Sequence, residues 1–310
     1  MKELLTRIRP VTDADNDLPV FSYSRLDSYR NCPMQYQLKY IDGKYSEDTT
    51  PALELGNLLH YVLEQKGKMI RDGADVEYDK LYELMMNGVT DTNNKTKQPL
   101  AGISELKRKY ADDWYKPDDA SGMNYEQKLS VFDTVLHTEM DNSEWTPVLF
   151  EHEFRFVWDN RIVIHGFIDR IDRRGNELRT VDYKTSKKPF YSRDLASSLQ
   201  FGIYAMAILN EFGVLPVESV YRLILIDKAQ YALTGRWTES LIKELDNLLD
   251  NIDNDTQKNV FVPKPIALCY WCNYCRQNSY AIQYKNECEY FLKWTPDNKT
   301  REVNKPWGIS

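Results

Sequence analysis

Two charged side chains on one short segment could act together on a phosphate group. Asp182 and Lys184 lie two residues apart in residues 181–185, which the apolar and β-branched pattern predicts to be a strand. Residues two apart on a strand project from the same face. A carboxylate beside an ammonium is a poor core pattern, because each charge is costly to bury alone. A carboxylate can hold Mg²⁺ or Mn²⁺, and a lysine can position an attacking water or neutralise developing charge.

A second acid lies on a neighbouring predicted strand, residues 166–172, which a short turn joins to the first. Asp169 precedes Asp182 by 13 residues (182 − 169). An antiparallel hairpin of this length brings the two carboxylates together, and they repel each other unless a cation or proton lies between them. We therefore interpret Asp169, Asp182 and Lys184 as a functional group rather than as solvated charges. Asp172 is offset from Asp169 by an odd number and is predicted to face the other way, in a structural role.

Three further side chains are candidates for the same site. His60 lies on a predicted helix at 50–66 and could complete a metal site as a neutral imidazole, although its spacing fits an ordinary surface or core histidine equally well. Gln200 and Tyr204 are four residues apart on the helix that follows the lysine strand. They could contact a phosphate or orient Lys184, and the alternative is a buried helix flank.

Basic residues surround these candidates in the sequence. A solvated charge run is the ordinary interpretation. Beside a metal site they could instead form a track for nucleic-acid phosphates. The track would be formed by Lys187, Lys188 and Arg193, with Arg170, Arg173 and Arg174 on the hairpin.

The cysteines form a separate pattern near the C-terminus. Cys269, Cys272 and Cys275 are separated by two-residue gaps, a spacing that lets thiolates converge on zinc or an iron–sulfur cluster. Cys32 or Cys288 could supply a fourth ligand, and the alternative is that some are small buried residues. The odd number, five, in a chain with no evident export signal argues against a disulfide framework.

The elements that position these residues indicate an α/β protein with a small mixed central sheet flanked by helices. Strands are predicted at 148–158, 161–172, 178–184 and 217–227, with a helix at 193–212 before the last of them. The predicted organisation is an irregular segment at 1–20, a single domain at 21–290 and a tail at 291–310. Within the domain we expect a helical insertion at 68–145, the catalytic sheet core at 148–232 and a Cys-rich segment at 260–290.

Composition sets broad limits on the class of protein. The chain has 310 residues, of which 42% are hydrophobic, enough for one large domain or two small ones. No run approaches the roughly 18 apolar residues of a membrane span, so we expect no membrane association and a cytoplasmic protein of a bacterium or phage-infected cell. The net charge of −7 argues weakly against a general nucleic-acid binder, but an enzyme can attract phosphates through a metal and local basic patches.

Taken together, the motifs over about residues 21–280 resemble those of the RecB-like branch of the PD-(D/E)XK nuclease superfamily. The resemblance implies a restriction-endonuclease-like core and a metal-dependent deoxyribonuclease. It implies that Lys184 is the catalytic lysine and that Gln200 and Tyr204 form an auxiliary helix motif. The metal ligands that it implies are His60, Asp169, Asp182 and the backbone carbonyl of Tyr183. The motifs that carry it are Ser-Tyr-Ser-Arg-Leu…Asn-Cys-Pro, Gly-Asn-Leu-Leu-His with Glu64, Gly-Phe-Ile-Asp-Arg-Ile-Asp, Val-Asp-Tyr-Lys-Thr, Gln200…Tyr204 and the cysteine-rich end.

Iron–sulfur members of this branch, such as the AddB-type and CRISPR-adaptation nucleases, use one cysteine near the N-terminal helix and three near the C-terminus. Cys32, Cys269 and Cys272 match that arrangement. The family's fourth cysteine would fall at Asn278, so Cys275 comes too early and Cys288 too late. The chain thus departs from the pattern for a 4Fe–4S cluster, and zinc is the alternative.

The resemblance implies a Mg²⁺- or Mn²⁺-dependent exonuclease acting on single strands or DNA ends in recombination, repair or replication. A separate helicase or recombination protein could be its partner. One alternative is a structure-specific endonuclease in phage DNA processing or defence. Another is a non-catalytic nucleic-acid-binding protein with the same fold, acting as part of a larger complex.

Overall fold

The computed structural model describes residues 2–90, 97–118, 120–141, 144–233, 238–275, 278–294 and 301–304. Its α-helices are α1 (Lys2–Arg7), α2 (Tyr23–Asn31), α3 (Pro33–Tyr36), α4 (Pro51–Arg71), α5 (Tyr78–Asn87), α6 (Ile103–Lys109), α7 (Ala111–Trp114), α8 (Tyr125–Thr138), α9 (Ser192–Ala196), α10 (Leu199–Phe212) and α11 (Thr238–Lys258). Its strands are β1 (Ile8–Arg9), β2 (Val20–Phe21), β3 (Gly88–Val89), β4 (Leu100–Ala101), β5 (Thr146–Trp158), β6 (Ile162–Arg174), β7 (Glu177–Lys184), β8 (Glu218–Leu223), β9 (Lys228–Leu233), β10 (Phe291–Trp294) and β11 (Arg301–Asn304).

The chain divides into two compact units that interleave in sequence. The first contains residues 1–20 and 51–242, and the second contains residues 21–50 and 243–310. The sequence had predicted a single domain over 21–290. The division differs because the chain leaves the first unit after residue 20 and returns to it only at residue 51.

The first unit is built on a mixed sheet, which confirms the predicted fold class. Its strands run in the order β1-β5-β6-β7-β8-β9, and β2 joins beside β6. β5, β6 and β7 pair antiparallel, whereas β7 and β8 are parallel. A parallel pair needs a long crossover, and α9 and α10 supply it. The predicted single helix at 193–212 is two helices, because Ser198 begins α10 by accepting a hydrogen bond from the Phe201 amide on its side chain.

Helix α4 and the insertion cover one face of this sheet. One face of α4 carries an apolar stripe that is fully buried, formed by Leu55, Leu58, Leu59, Val62 and Leu63. It shares one hydrophobic core with Val181 and Tyr183 of β7 and with Trp114 and Phe132 of the insertion. On α10, residues 199–209 are all buried. Helical periodicity therefore identified the elements that cover the sheet.

The N-terminal segment is more ordered than predicted. Residues 1–20 were expected to be irregular, yet they contain α1 and β1, and β1 pairs with the end of β5 through Ile8 and Trp158. A helix of six residues and a strand of two are too short to leave a periodic sequence pattern. The tail predicted at 291–310 likewise includes an antiparallel pair, β10 with β11, while residues 295–300 and 305–310 lie outside the described residues.

The second unit brings two distant stretches of sequence together. Ser22 begins α2, since the Ser22 hydroxyl accepts a hydrogen bond from the Arg25 amide at 3.1 Å. Tyr29 on α2 donates to Asp255 on α11 at 2.6 Å. In the part of the chain that the structure describes, no helix combines the length and the apolar character needed to cross a membrane.

Candidate active site

The register of the β6–β7 hairpin places the two predicted acids opposite each other. Arg170 and Val181 form the last pair of the ladder, and one position further the strands reach Asp169 and Asp182. The Tyr183 amide donates to Asp169 Oδ2 at 2.8 Å, which fixes that carboxylate beside the end of β7. Both acids are at most 3% exposed. The structure therefore brings together the two acids that the length of the antiparallel hairpin predicted to meet.

The side chain of His60, on α4, lies beside the carboxylate of Asp169. Its Nδ1 lies 3.4 Å from Asp169 Oδ2, and its ring packs edge-on against the Tyr183 ring. The helix approaches β7 closely at Gly56, where an added Cβ would lie 3.2 Å from the Thr185 hydroxyl. A glycine one turn before the histidine thus allows the close packing that puts the imidazole beside the acid.

Glu151 is a third acid at this site, and sequence reasoning missed it. One ligand atom each from His60, Glu151 and Asp169 lie within 4.8 Å of one another. Glu151 stands on β5 between the pairs Phe150–Arg170 and His152–Ile168, so it lies across the ladder from Asp169. Its φ of +43° is unusual for a glutamate and costs roughly 1–3 kcal/mol. Such strain at a carboxylate beside a histidine indicates a functional position.

A signal for Glu151 was present in the sequence. Trp158 pairs with Ile162 across the β5–β6 turn. Counting seven positions away from that pair along each strand reaches Glu151 and Asp169. Finding it required the turn to be located to the residue, since a shift of one position moves every side chain to the other face.

Asp182 turns toward a second set of side chains. Its Oδ2 lies 2.6 Å from Lys184 Nζ, and its Oδ1 accepts hydrogen bonds from Gln200 and Tyr204, each at 2.8 Å. Lys184 Nζ donates to Gln200 Oε1 at 3.0 Å, and the Tyr221 hydroxyl donates to the same oxygen. The predicted helix pair therefore contacts both the acid and the lysine that it was expected to orient.

Burial, followed by the charges of Asp182 and Asp169, raises the pKa of Tyr204 well above its ordinary value. The phenol therefore stays protonated and donates its hydrogen to Asp182. The side-chain amide of Gln200 donates from Nε2 to Asp182 and accepts at Oε1 from Lys184. These neutral groups fix the orientations of the acid and the lysine without adding charge.

The side chains gathered here fit a divalent cation. Glu151 and Asp169 supply two carboxylates beside the His60 imidazole, whereas Asp182, which was predicted as a ligand, pairs with Lys184. Neighbouring acids repel one another unless a cation lies between them. Carboxylate oxygens with one imidazole suit Mg²⁺ or Mn²⁺. The Tyr183 amide bonds to Asp169, and a ligand role for the Tyr183 carbonyl stays a prediction.

The other face of the hairpin carries a network of ion pairs. As expected, Asp172 faces away from Asp169, and it lies 2.8 Å from both Arg170 and Arg179. Arg170 also donates to Glu139 at 2.7 Å and to the Tyr183 hydroxyl at 2.6 Å. Because Arg170 is only 3% exposed and bound within the protein, its suggested place in a phosphate track is wrong.

The three basic residues after β7 stay predictions for DNA contact. Lys188 is exposed, and Lys187 is partly exposed. The Ser186 hydroxyl donates to the Lys188 carbonyl at 2.6 Å and shapes this turn. Arg193 lies in α9, but its side chain is outside the described residues.

All five cysteines line one cavity in the second unit. The Lys264 amide points at Cys32 Sγ at 3.4 Å, and the Ile266 amide points at Cys269 Sγ at 3.5 Å. Amide donors to sulfur are found around metal-bound thiolates. Five thiols around one cavity, with amide hydrogen bonds to Cys32 and Cys269, are ligands that fit a soft metal or a cluster.

The mixed sheet, with two acids and a lysine at the end of a hairpin, defines a domain of the restriction-endonuclease-like class. A sequence model of the PD-(D/E)XK nuclease superfamily matches residues 20–279. The chain belongs to this superfamily.

Several curated proteins are similar to the chain at low identity. A clostridial ATP-dependent helicase/deoxyribonuclease subunit, from Clostridium tetani, is 24% identical over 213 residues, covering 61% of this chain and 18% of the relative. The corresponding protein of Clostridium perfringens strain SM101 is 26% identical over 212 residues, covering 61% and 17%. The gene 69 protein of Mycobacterium phage D29 is 26% identical over 210 residues, covering 64% and 71%. The chain thus spans less than a fifth of the clostridial relatives.

Proposed function

We propose that this chain is a divalent-metal deoxyribonuclease that hydrolyses phosphodiester bonds at DNA ends or in single strands. The observation that carries the proposal is the convergence of His60, Glu151 and Asp169 within 4.8 Å. The buried Asp182–Lys184 pair on the neighbouring strand adds to it. A non-catalytic binding protein would have no need to hold two acids this close together against their mutual repulsion.

His60, Glu151, Asp169 and Asp182 would hold Mg²⁺ or Mn²⁺. Such an ion supplies a bound water of lowered pKa and stabilises the negative charge that develops on the phosphate. Lys184, fixed by Asp182 and Gln200, positions the attacking water and offsets charge on the phosphate. Tyr204 and Gln200 are positioning residues, because they contact Asp182 and Lys184 within the protein.

The names of the relatives support a motor protein as the partner. The clostridial relatives are named as parts of an ATP-dependent helicase/deoxyribonuclease. A separate helicase or recombination protein is therefore the proposed partner, and the basic residues Lys187, Lys188 and Arg193 are the proposed contacts to the DNA backbone.

The cysteines are proposed to hold a 4Fe–4S cluster, with zinc as the alternative. The two-residue gap between Cys269 and Cys272 matches the spacing of cluster-binding cysteines. The group would have a structural role, since ligands from residues 21–50 and from the C-terminal part of the second unit meet at one cavity. Metal binding would then contribute directly to the stability of that unit.

The proposal is tested by product analysis on end-labelled single-stranded, duplex and circular DNA, with Mg²⁺, Mn²⁺ or EDTA. Asp182→Ala is the inactive variant, and Asp79→Ala, which changes an exposed aspartate on α5, is the matched control. We expect metal-dependent loss of linear substrates with wild type and Asp79→Ala. Equal cleavage by Asp182→Ala would identify a contaminant and refute the proposal, and efficient cutting of circles would indicate an endonuclease instead.

A further inference from the structure

We infer that Cys288 is the fourth ligand of the thiol site, in the role that the family pattern gives to residue 278, and that Cys275 is a surplus thiol. The inference rests on the proposed cluster, since it concerns which side chains hold it. Cys32, Cys269 and Cys272 match the family's other three positions. Cys275 and Cys288 are therefore the two remaining candidates for the fourth ligand.

Residue 278 has taken another role in this chain. Asn278 is fully buried. Its side-chain amide donates to Asn273 at 3.2 Å, and its side-chain oxygen accepts from the Tyr280 amide at 3.0 Å. Its backbone amide bonds to the Cys275 carbonyl. The asparagine thus folds the turn on which a family cysteine would stand, and a ligand must come from elsewhere.

Cys288 returns to the site through a backbone contact that sequence spacing does not reveal. Its amide donates to the Tyr274 carbonyl at 2.9 Å, and Cys275 and Cys288 form an isolated parallel bridge. This bridge carries residue 288 back beside the 269–275 segment, although it lies 16 positions after Cys272 (288 − 272).

The surroundings of Cys288 connect it to both groups of cysteines. Cys288 packs in one apolar cluster with Cys272, Leu38 and Met34. Leu38 and Met34 belong to the segment that carries Cys32, so Cys288 lies where the two groups of cysteines meet.

The experiment compares Cys288→Ser, Cys275→Ser and the double variant Cys288→Ser with Asn278→Cys, all purified without oxygen. Iron, zinc and acid-labile sulfide per chain are measured with the visible absorbance, and circular dichroism reports folding. We expect Cys288→Ser to lose metal on the order of tenfold or more. Cys275→Ser should keep it, and Asn278→Cys should restore it to the Cys288→Ser chain.

Two results would overturn the assignment: wild-type metal content in Cys288→Ser, or metal loss in folded Cys275→Ser. If Cys288→Ser does not fold, the double variant decides, and its failure to regain metal also refutes the assignment. A wild-type chain without iron or zinc would refute the cluster proposal itself. Nuclease activity, read separately at the Asp169 site, tests the proposed function.

Discussion

The two faces of the β6–β7 hairpin bury charge in opposite ways. The acidic face carries Asp169 and Asp182, with Glu151 and His60 beside Asp169 and with Lys184 beside Asp182. The arginine face carries Arg170 and Asp172 and is completed by Glu139, Arg179 and Arg222. The same two strands supply both faces because successive side chains alternate.

The difference lies in charge balance rather than in burial. On the arginine face, Glu139 receives hydrogen bonds from both Arg170 and Arg222, at 2.7 and 2.6 Å. Burial alone would raise the pKa of Glu139, but the charges of the two arginines outweigh it and lower that pKa. On the acidic face, Glu151 and Asp169 lie together beside a histidine, so two acids converge there instead of an acid and an arginine. Buried charge is therefore a poor marker of function by itself, whereas acids that converge with an imidazole are the donor set that a divalent cation takes.

The largest expected effect is loss of activity when the acidic face loses one acid. Asp169→Asn removes a proposed ligand and should lower the cleavage rate by about three orders of magnitude, roughly 4 kcal/mol in the activation free energy. Without metal, the free energy of unfolding of Asp169→Asn should equal or exceed that of wild type, because the substitution removes the repulsion between residue 169 and the neighbouring acids. Single-turnover cleavage and denaturant unfolding in EDTA measure the two. A destabilised Asp169→Asn would mean that the acids are held by protein contacts alone.

The arginine face should respond in the opposite way. Glu139→Gln removes the negative charge that Arg170 and Arg222 share. The substitution should lower the free energy of unfolding by about 3 kcal/mol or more. The activity of the folded protein should change little, because the side chain of Glu139 is directed to the two arginines of its own face. Urea unfolding of Glu139→Gln is compared with Glu144→Gln, which breaks an exposed pair with Arg174 and should be nearly neutral. Equal stability of the two variants would contradict the ion-pair account.

The sequence predicted the residues of each face only where their contacts are close together along the chain. The alternation that separates Asp169 from Asp172 is local, and it was predicted from the residues alone. Arg170 was misplaced in a phosphate track because its partner Glu139 lies 31 residues away, in the insertion. No local sequence pattern predicts the contact between Arg170 and Glu139.

Glu151 escaped the sequence-based site assignment, and Cys288 stayed one candidate among several, for a related reason. Glu151 meets Asp169 only through the β5–β6 register, and a register is fixed by the turn and by cross-strand packing. Cys288 meets the other thiols through one backbone bridge, so a rule based on spacing placed it too late in the chain. Periodicity predicted the helices and strands, whereas pairing between distant segments completed the sites.

Added metal should stabilise the acidic face by a smaller amount. At a Mg²⁺ concentration of about 100 times the dissociation constant, the folded state gains about 2.7 kcal/mol. We expect the melting temperature of wild type to rise with Mg²⁺ or Mn²⁺, and that of Asp169→Asn to rise much less. Glu139→Gln, although less stable, should show the wild-type increase. A shift that survives in Asp169→Asn would place the bound ion elsewhere.

The smallest effect is a pH dependence that belongs to the arginine face. The folded-state pKa of Glu139 lies below its ordinary value of 4.5, so its contribution to stability is complete above that value and declines as the pH falls through the folded-state pKa. The loss is at most about 1.4 kcal/mol per pH unit. The stability gap between wild type and Glu139→Gln should therefore be constant from pH 7 to about 5 and narrow below about 4.5. Urea unfolding of both proteins across this range, in EDTA, removes the contribution of metal. A gap that widens in acid would show that Glu139 is protonated in the folded state, and the arginine face would then lack the balance that distinguishes it from the acidic one.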